Sequence, residues 1–281
     1  MADSNLDWAM PVMRAGYAGR SLTYVIVAGI SLFTIWHGGE AKGTSDALAE
    51  VERSPYGMIL LSLVAVGLFA YMAWRLVCAA FDLEEYGNDA KGIFARLGQA
   101  VTGLIHGALG VLAILILTGS EDGGGSSTAQ YVNMVMGMPG GRLLIGAVGL
   151  VTAGAGIYYI YKGWSQSYRK HLRANHFTMN WNPLLRAGVA AQGATVLIIG
   201  FLILNAARTR DGSEAGGLDK AFGWLGEQAY GQALVTAMCV GLLGFALFLA
   251  VNAMYRIIPR IKDPDVMSVA RQLKAKAEAA S

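Results

Sequence analysis

The sequence predicts an all-α integral membrane protein: six transmembrane helices arranged as three parallel two-helix repeats in a pseudo-threefold arrangement. Three observations predict it: a composition too poor in charge to face water, six apolar runs of bilayer length, and a punctuation motif that recurs three times. Of 281 residues, 54% are hydrophobic and 15% charged, with a mean hydropathy of +0.44. A soluble globule averages about 25% charged residues. So little charge cannot cover a water-facing surface, which excludes a soluble enzyme, a disordered scaffold and a nucleic-acid-binding domain. The expected surroundings are membrane lipid, with no nucleic acid.

Taken in order, apolar runs at 18–36, 58–80, 99–118, 143–161, 187–207 and 233–258 each reach the length that crosses a bilayer. Asp3 and Asp7 precede the first, with no basic segment before an apolar core, so this start lacks the form of a cleaved signal peptide. Between the spans of each pair lies a short segment that reads as an amphipathic helix: 45–53, 128–136 and 218–225. Leu218, Phe222 and Leu225 fall at helical spacing, and these segments are expected to lie flat in the outer interface, Tyr131 and Trp224 in the aromatic belt. The connection 165–186 carries Arg169, Lys170, Arg173 and Arg186 and no acid. After Pro264, Asp265 can cap a basic amphipathic helix in which Val266, Val269 and Leu273 recur among Arg271, Lys274 and Lys276, suited to anionic headgroups.

Orientation follows from Lys and Arg. The first segment, the connections after spans two and four, and the tail hold sixteen of the 22 basic residues, whereas the opposite side holds six and the acids divide ten to nine. Both termini are therefore expected in the cytoplasm. Cys78 and Cys239 fall at positions offset by about 20 Å of depth in their aligned spans, which predicts no disulfide.

Arg14-Ala15-Gly16, Arg96-Leu97-Gly98 and Arg186-Ala187-Gly188 open the odd spans, and Pro55-Tyr56-Gly57, Pro139-Gly140-Gly141 and Ala229-Tyr230-Gly231 the even ones. The repeating unit is a two-span hairpin: 1–93, 94–183 and 184–264, followed by a tail at 265–281. Two crossings per unit make successive units parallel, related by an axis along the membrane normal. The run Arg-Ala-Gly-Tyr-Ala-Gly-Arg at 14–20, the Pro-Tyr-Gly turn at 55–57 and Arg75 near the end of the next span resemble the bacterial membrane family catalogued as domain of unknown function 1206. The resemblance covers nearly the whole chain. It departs most in the second repeat, where Gln99 stands for Tyr17 and Gly140 for Tyr56. It implies a multi-pass protein of the bacterial cytoplasmic (inner) membrane and brings no catalytic residues.

Aligned odd spans share a stripe at four-residue spacing, one helix face: Gly16, Arg20, Tyr24; Gly98, Thr102, His106, Gly110; Gly188, Gln192, Gly200. Polar side chains within a span face the bundle interior or a cavity, so Arg20, Tyr24, Thr102, His106 and Gln192 are the candidate pocket, with Arg20 as an anion anchor. The competing reading is packing: small faces let helices approach and polar groups bond across the interface, with Gly103 and Gly107 on a neighbouring face. His37 and His106 differ by about 20 Å in depth and cannot share a haem. His171 and His176 sit in the basic connection without a thiol or carboxylate at ligand spacing. Arg75 and Lys162 read as cations snorkelling to headgroups, and Asp82, Glu84, Glu85 and Asp89 as a solvated patch.

No phosphate loop, nucleophile elbow or metal motif occurs, so no enzyme, cofactor or metal is expected. Two functions remain: a non-enzymatic accessory or scaffold protein packing against a larger membrane complex or lipid, or a small-solute or anion transporter with a cytoplasm-facing pocket on the axis.

Overall fold

A computed structural model describes residues 8–119, 125–258 and 268–269. Six long helices form the bundle: α1 (Ala9–Trp36), α3 (Gly57–Phe81), α4 (Ala90–Leu117), α6 (Gly141–Ser165), α8 (Asn182–Thr209) and α10 (Gly231–Tyr255). All six are long and apolar enough to cross a membrane, since 25 residues span about 38 Å against a hydrocarbon core of about 30 Å. This is a multi-pass membrane protein. The odd spans start before their apolar runs do, because helical hydrogen bonding continues beyond the apolar stretch. Asp89 caps α4 by accepting from the Gly92 N–H, and Pro183 occupies the first turn of α8, where its missing N–H costs nothing. The sixth stops at Tyr255, three residues early, because Arg256 turns out to pair with Leu172 in a β-bridge.

At one end lie the start of α1, the end of α10 and the connections α3–α4 and α6–α8; this is the basic end. At the other lie α2 (Thr44–Glu52), α5 (Gly125–Met136) and α9 (Leu218–Gly226), close to the predicted boundaries. Their expected placement in the interface is corrected for two of them. Ala47, Leu48 and Val51 of α2 and Leu218, Phe222 and Leu225 of α9 are buried in the core and cap the bundle. A face at helical spacing cannot by itself tell lipid from protein. Tyr131 of α5 is exposed.

Packing follows the repeat. Each even span packs against the odd span of the next unit, α3 on α4, α6 on α8 and α10 on α1, and the last pair closes the circle. Within units, α1 packs on α3 and α8 on α10. The middle unit differs: α4 and α6 scarcely meet, so the circle of six is open between them. Glycines set the close crossings. A Cβ on Gly19 would run into the Gly67 backbone, and one on Gly188 into Gly244 and Phe245. Gly16 sits against Tyr71, Gly103 and Gly107 against Met72, Gly110 against Phe69 and Gly200 against Ala153. Gly98 is a correction. A Cβ there meets nothing within 4 Å, and the residue is exposed.

The basic connection is folded. It forms a short 3-10 turn (Ser167–His171) and α7 (His176–Asn180), whose capping box joins Asn175 and Thr178. Ile257 N–H donates to the His171 carbonyl at 2.7 Å, and Arg173 N–H to the Tyr255 carbonyl at 2.8 Å. The predicted tail helix lies outside the described residues except Ser268 and Val269. Val269 is buried there, and its N–H donates to the Leu172 carbonyl.

Candidate functional site

The site forms where side chains from all six spans converge toward the basic end. Arg20, eleven residues into α1, is buried and points inward. Its Nη1 donates to the Tyr71 hydroxyl at 2.7 Å, and its guanidinium lies 4.5 Å from the Tyr71 ring centre, 5.7 Å from Phe245 and 5.8 Å from Tyr24. Among the described residues no carboxylate pairs with it, and its Nε is buried without a hydrogen-bond partner there. Tyr71 and Phe245 occupy equivalent positions, fourteen residues after Gly57 and Gly231. The middle repeat places Ala155 there. Aromatic rings attract a guanidinium through their quadrupoles but cancel none of its charge.

The predicted pocket residues are only partly brought together. Tyr24 faces both Arg20 and Gln192, and the Gln192 Oε1 is buried without a partner. His106 is buried with its ring edge-on to Tyr71 at 4.9 Å. Its Nδ1 lies 2.7 Å from the Thr102 carbonyl; a carbonyl only accepts, so Nδ1 carries the proton and Nε2 is left as an acceptor. Thr102 does not join, because its hydroxyl bonds the Gly98 carbonyl one turn back and the side chain remains partly exposed. Arg20 therefore pairs with Tyr71 and not with Thr102. Gln99, one turn below, was not anticipated; it is buried with both ends of its amide unpartnered.

Toward the basic end the site becomes ionic, and the structure corrects two readings here. Arg75 does not snorkel. It turns inward to the Tyr71 ring at 5.9 Å and the Glu84 carboxylate at 3.9 Å. Glu84 is not part of a solvated patch but is buried, accepting from Arg256 at 2.5 Å and from the Tyr86 hydroxyl at 3.0 Å. Asp82 and Asp89 do cap local N–H groups at the loop surface. Burial alone would raise the Glu84 carboxyl, but Arg256 and then Arg75 outweigh it and hold it well below the usual carboxylate range. Arg256 also donates to Asn252 Oδ1 and lies over the Tyr17 ring. Lys162 is partly buried 5.7 Å from the Tyr159 ring centre, with no carboxylate among the described residues in ion-pair reach. His171 is partly buried as well. Burial and then the charge of Arg256 push its imidazole down to about 4.

Among the described residues this region thus holds four inward cations, Arg20, Arg75, Lys162 and Arg256, and one buried carboxylate, Glu84, which pairs with Arg75 and Arg256. Among the described residues no group of three or more His, Cys, Asp or Glu is placed to hold a metal.

Residues 15–82, 97–166 and 187–256 match the family described as Domain of Unknown Function (DUF1206), one match to each hairpin. The chain belongs to this family. Its DUF1206 segments carry every cation of the site, while Glu84 lies two residues beyond the first segment. The chain is similar to the uncharacterized protein YxxB of Bacillus subtilis (strain 168), 25% identical over 253 residues that cover 89% of this chain and 92% of YxxB. No solved structure matches it. The first and third DUF1206 repeats turn equivalent positions inward, at Arg20 and Gln192, whereas the middle repeat departs from them at Gly98 and Thr102.

Proposed function

We propose that this is a bilayer-embedded anion-binding protein, nearer to a solute or anion carrier than to a scaffold, which takes the anionic end of its ligand at the centre of the bundle from the basic end. The observation that carries the reading is the charge imbalance: among the described residues four inward cations stand beside one carboxylate, and Arg20, the most buried of them, is met by a hydroxyl and aromatic rings. A buried charge without its counter-ion is costly. A bound carboxylate, phosphate or sulfate offsets that cost, and guanidinium forks match such oxyanions bidentately. The sixteen-to-six excess of basic residues supports a cytoplasmic position for this end, and the bacterial relative supports a location in the cytoplasmic (inner) membrane. No bond-making step is assigned to any residue.

Thermal unfolding of the detergent-purified protein tests this. Phosphate, sulfate or a dicarboxylate at about 100 times its Kd stabilises a single-site binder by about 2.7 kcal/mol. The expected result is a rise in Tm with at least one of these anions that Arg20→Gln abolishes. A Tm indifferent to all of them overturns the reading.

The accessory or scaffold reading draws on a different observation, the bare flanks of α4 and α6. There the open circle offers a partner helix a seat, and its test is a stoichiometric polypeptide retained through mild-detergent purification.

A further inference from the structure

The circle of helices is open between α4 and α6, and these two helices carry His106, Tyr159 and Lys162 of the cationic site. On α4, the Gly103, Gly107 and Gly110 stripe packs against α3, and His106 marks the inward face. At 100° per residue, Gly98, Thr102 and Ile105 fall on the next flank, which in a closed circle meets α6. That flank is open: Gly98 and Ile105 are exposed, and Thr102 partly so. On α6, burial is confined to Gly141, Ile145, Gly149, Gly156 and Gly163, with Gly149 and Gly156 set against α8. Leu144, Val151 and Tyr158, seven residues apart beside the inward Tyr159 and Lys162, are each more than half exposed. Two exposed apolar flanks, one on α4 and one on α6, therefore border the place where the circle is open, and among the described residues neither is covered by the other.

The gap ends at charge. Lys162 lies three residues from the end of α6 and Arg75 six from the end of α3, about 5 and 9 Å of helix respectively, so Lys162 stands at the edge of the hydrocarbon and Arg75 about one turn deeper. The Arg75 side chain reaches α4 at Gly103, and its Nε is buried without a partner. Tyr158 is exposed to the opening, yet near enough to Glu84, Arg75 and Arg256 to feel their charges. We infer that this gap is a lateral portal that seats an anionic phospholipid, its phosphate against Lys162 and Arg75 and its acyl chains between α4 and α6. A free anion has no use for the apolar walls, and a neutral lipid none for the cations. The inference rests on the anion-binding reading and deepens it by naming the ligand class.

The test compares phosphatidylglycerol, phosphatidylcholine and glycerol 3-phosphate as additives to the purified protein, reading Tm and the lipid retained after detergent washing. Two variants obstruct the portal at positions where added bulk has room: Gly98→Trp and Val151→Trp. One removes an unpaired charge, Lys162→Met. Phosphatidylglycerol is expected to be retained and to raise Tm well beyond the rise given by glycerol 3-phosphate, phosphatidylcholine is expected to do neither, and each variant weakens lipid retention about tenfold or more, which corresponds to about 1.4 kcal/mol. If glycerol 3-phosphate matches the lipid and the tryptophans have no effect, the portal is overturned and the anion site stands. If phosphatidylcholine matches phosphatidylglycerol, the charge match is overturned. A polypeptide that co-purifies and displaces lipid overturns the portal in favour of a scaffold. If no lipid or anion changes Tm, this inference and the anion reading fall together.

Discussion

The Glu84 carboxylate accepts a hydrogen bond from Arg256, 172 residues further along the chain. That one bond joins the connection after the second span to the end of the sixth, so at the basic end the first repeat is fastened directly to the third. Glu84→Gln keeps the shape and removes the charge, leaving Arg256 and Arg75 buried without a carboxylate. Breaking such a buried pair typically costs about 3–5 kcal/mol. A marked fall in Tm is expected in detergent, with Glu85→Gln on the exposed neighbour changing it little. Equal effects of the two substitutions contradict the pairing.

Acid should weaken the fold in two steps. The His171 value of about 4 lies below the roughly 6.5 of an unfolded chain. Between those values the unfolded state binds the extra proton, so the stability contributed by neutral His171 is complete above about pH 6.5 and is lost as pH falls toward 4. Glu84 is also held below its unfolded value of about 4.3. Its contribution is therefore present above that pH and declines below it. Tm against pH should show both steps. His171→Gln should remove the first and leave the second, and a first step that survives the substitution contradicts the assignment.

The six spans and their threefold recurrence were legible because they depend on local pattern: apolar length, and Arg-x-Gly or x-x-Gly at each entrance. The inward direction of Arg20, His106 and Gln192 was legible for the same reason, since hydrocarbon does not satisfy polar groups. Glu84 was not, because its partners come from α3 and the end of α10, and the local run Asp82, Glu84, Glu85 has the composition of a wet loop. Gly98 and Thr102 were misplaced by assuming that equal sequence positions have equal neighbours. The middle repeat breaks that equality at Gln99, Gly140 and Ala155, and those departures were the available signal that its two helices stand apart.

The crossing of α1 and α3 is set by Gly19 and Gly67, each occupying the place where the other's Cβ would go. Gly19→Ala should force the helices apart, at a cost typical of overpacking, about 1–3 kcal/mol. Gly29→Ala, where a Cβ meets nothing, should instead gain up to about 1 kcal/mol from helix propensity. Opposite signs in thermal unfolding are the expected outcome; the same sign for both contradicts the crossing.

Orientation is open to direct measurement. Reporter fusions at Ser213, in the connection between α8 and α9, and at Asn88, between α3 and α4, lie on opposite sides of the bundle. The basic asymmetry expects the first outside and the second in the cytoplasm. The reverse result keeps the fold and removes the cytoplasmic direction from the proposed function.

Ala155 offers the sharpest test of the axis. Tyr71 and Phe245 place rings 4.5 and 5.7 Å from the Arg20 guanidinium, and Ala155 is their equivalent on α6, the helix that fails to close the circle. Ala155→Phe supplies the corresponding ring from the middle repeat, beside those of Tyr71, Phe245 and Tyr24. An added cation–π contact at a desolvated guanidinium contributes about 2 kcal/mol, so Tm without ligand should rise. The same ring fills space beside Arg20, so the anion-induced rise in Tm should shrink. Stability and ligand response therefore move in opposite directions, which neither a generally destabilised nor an indifferent variant produces. A fall in Tm with the anion response intact means that Ala155 does not border the space around Arg20, and the threefold account of the site then fails.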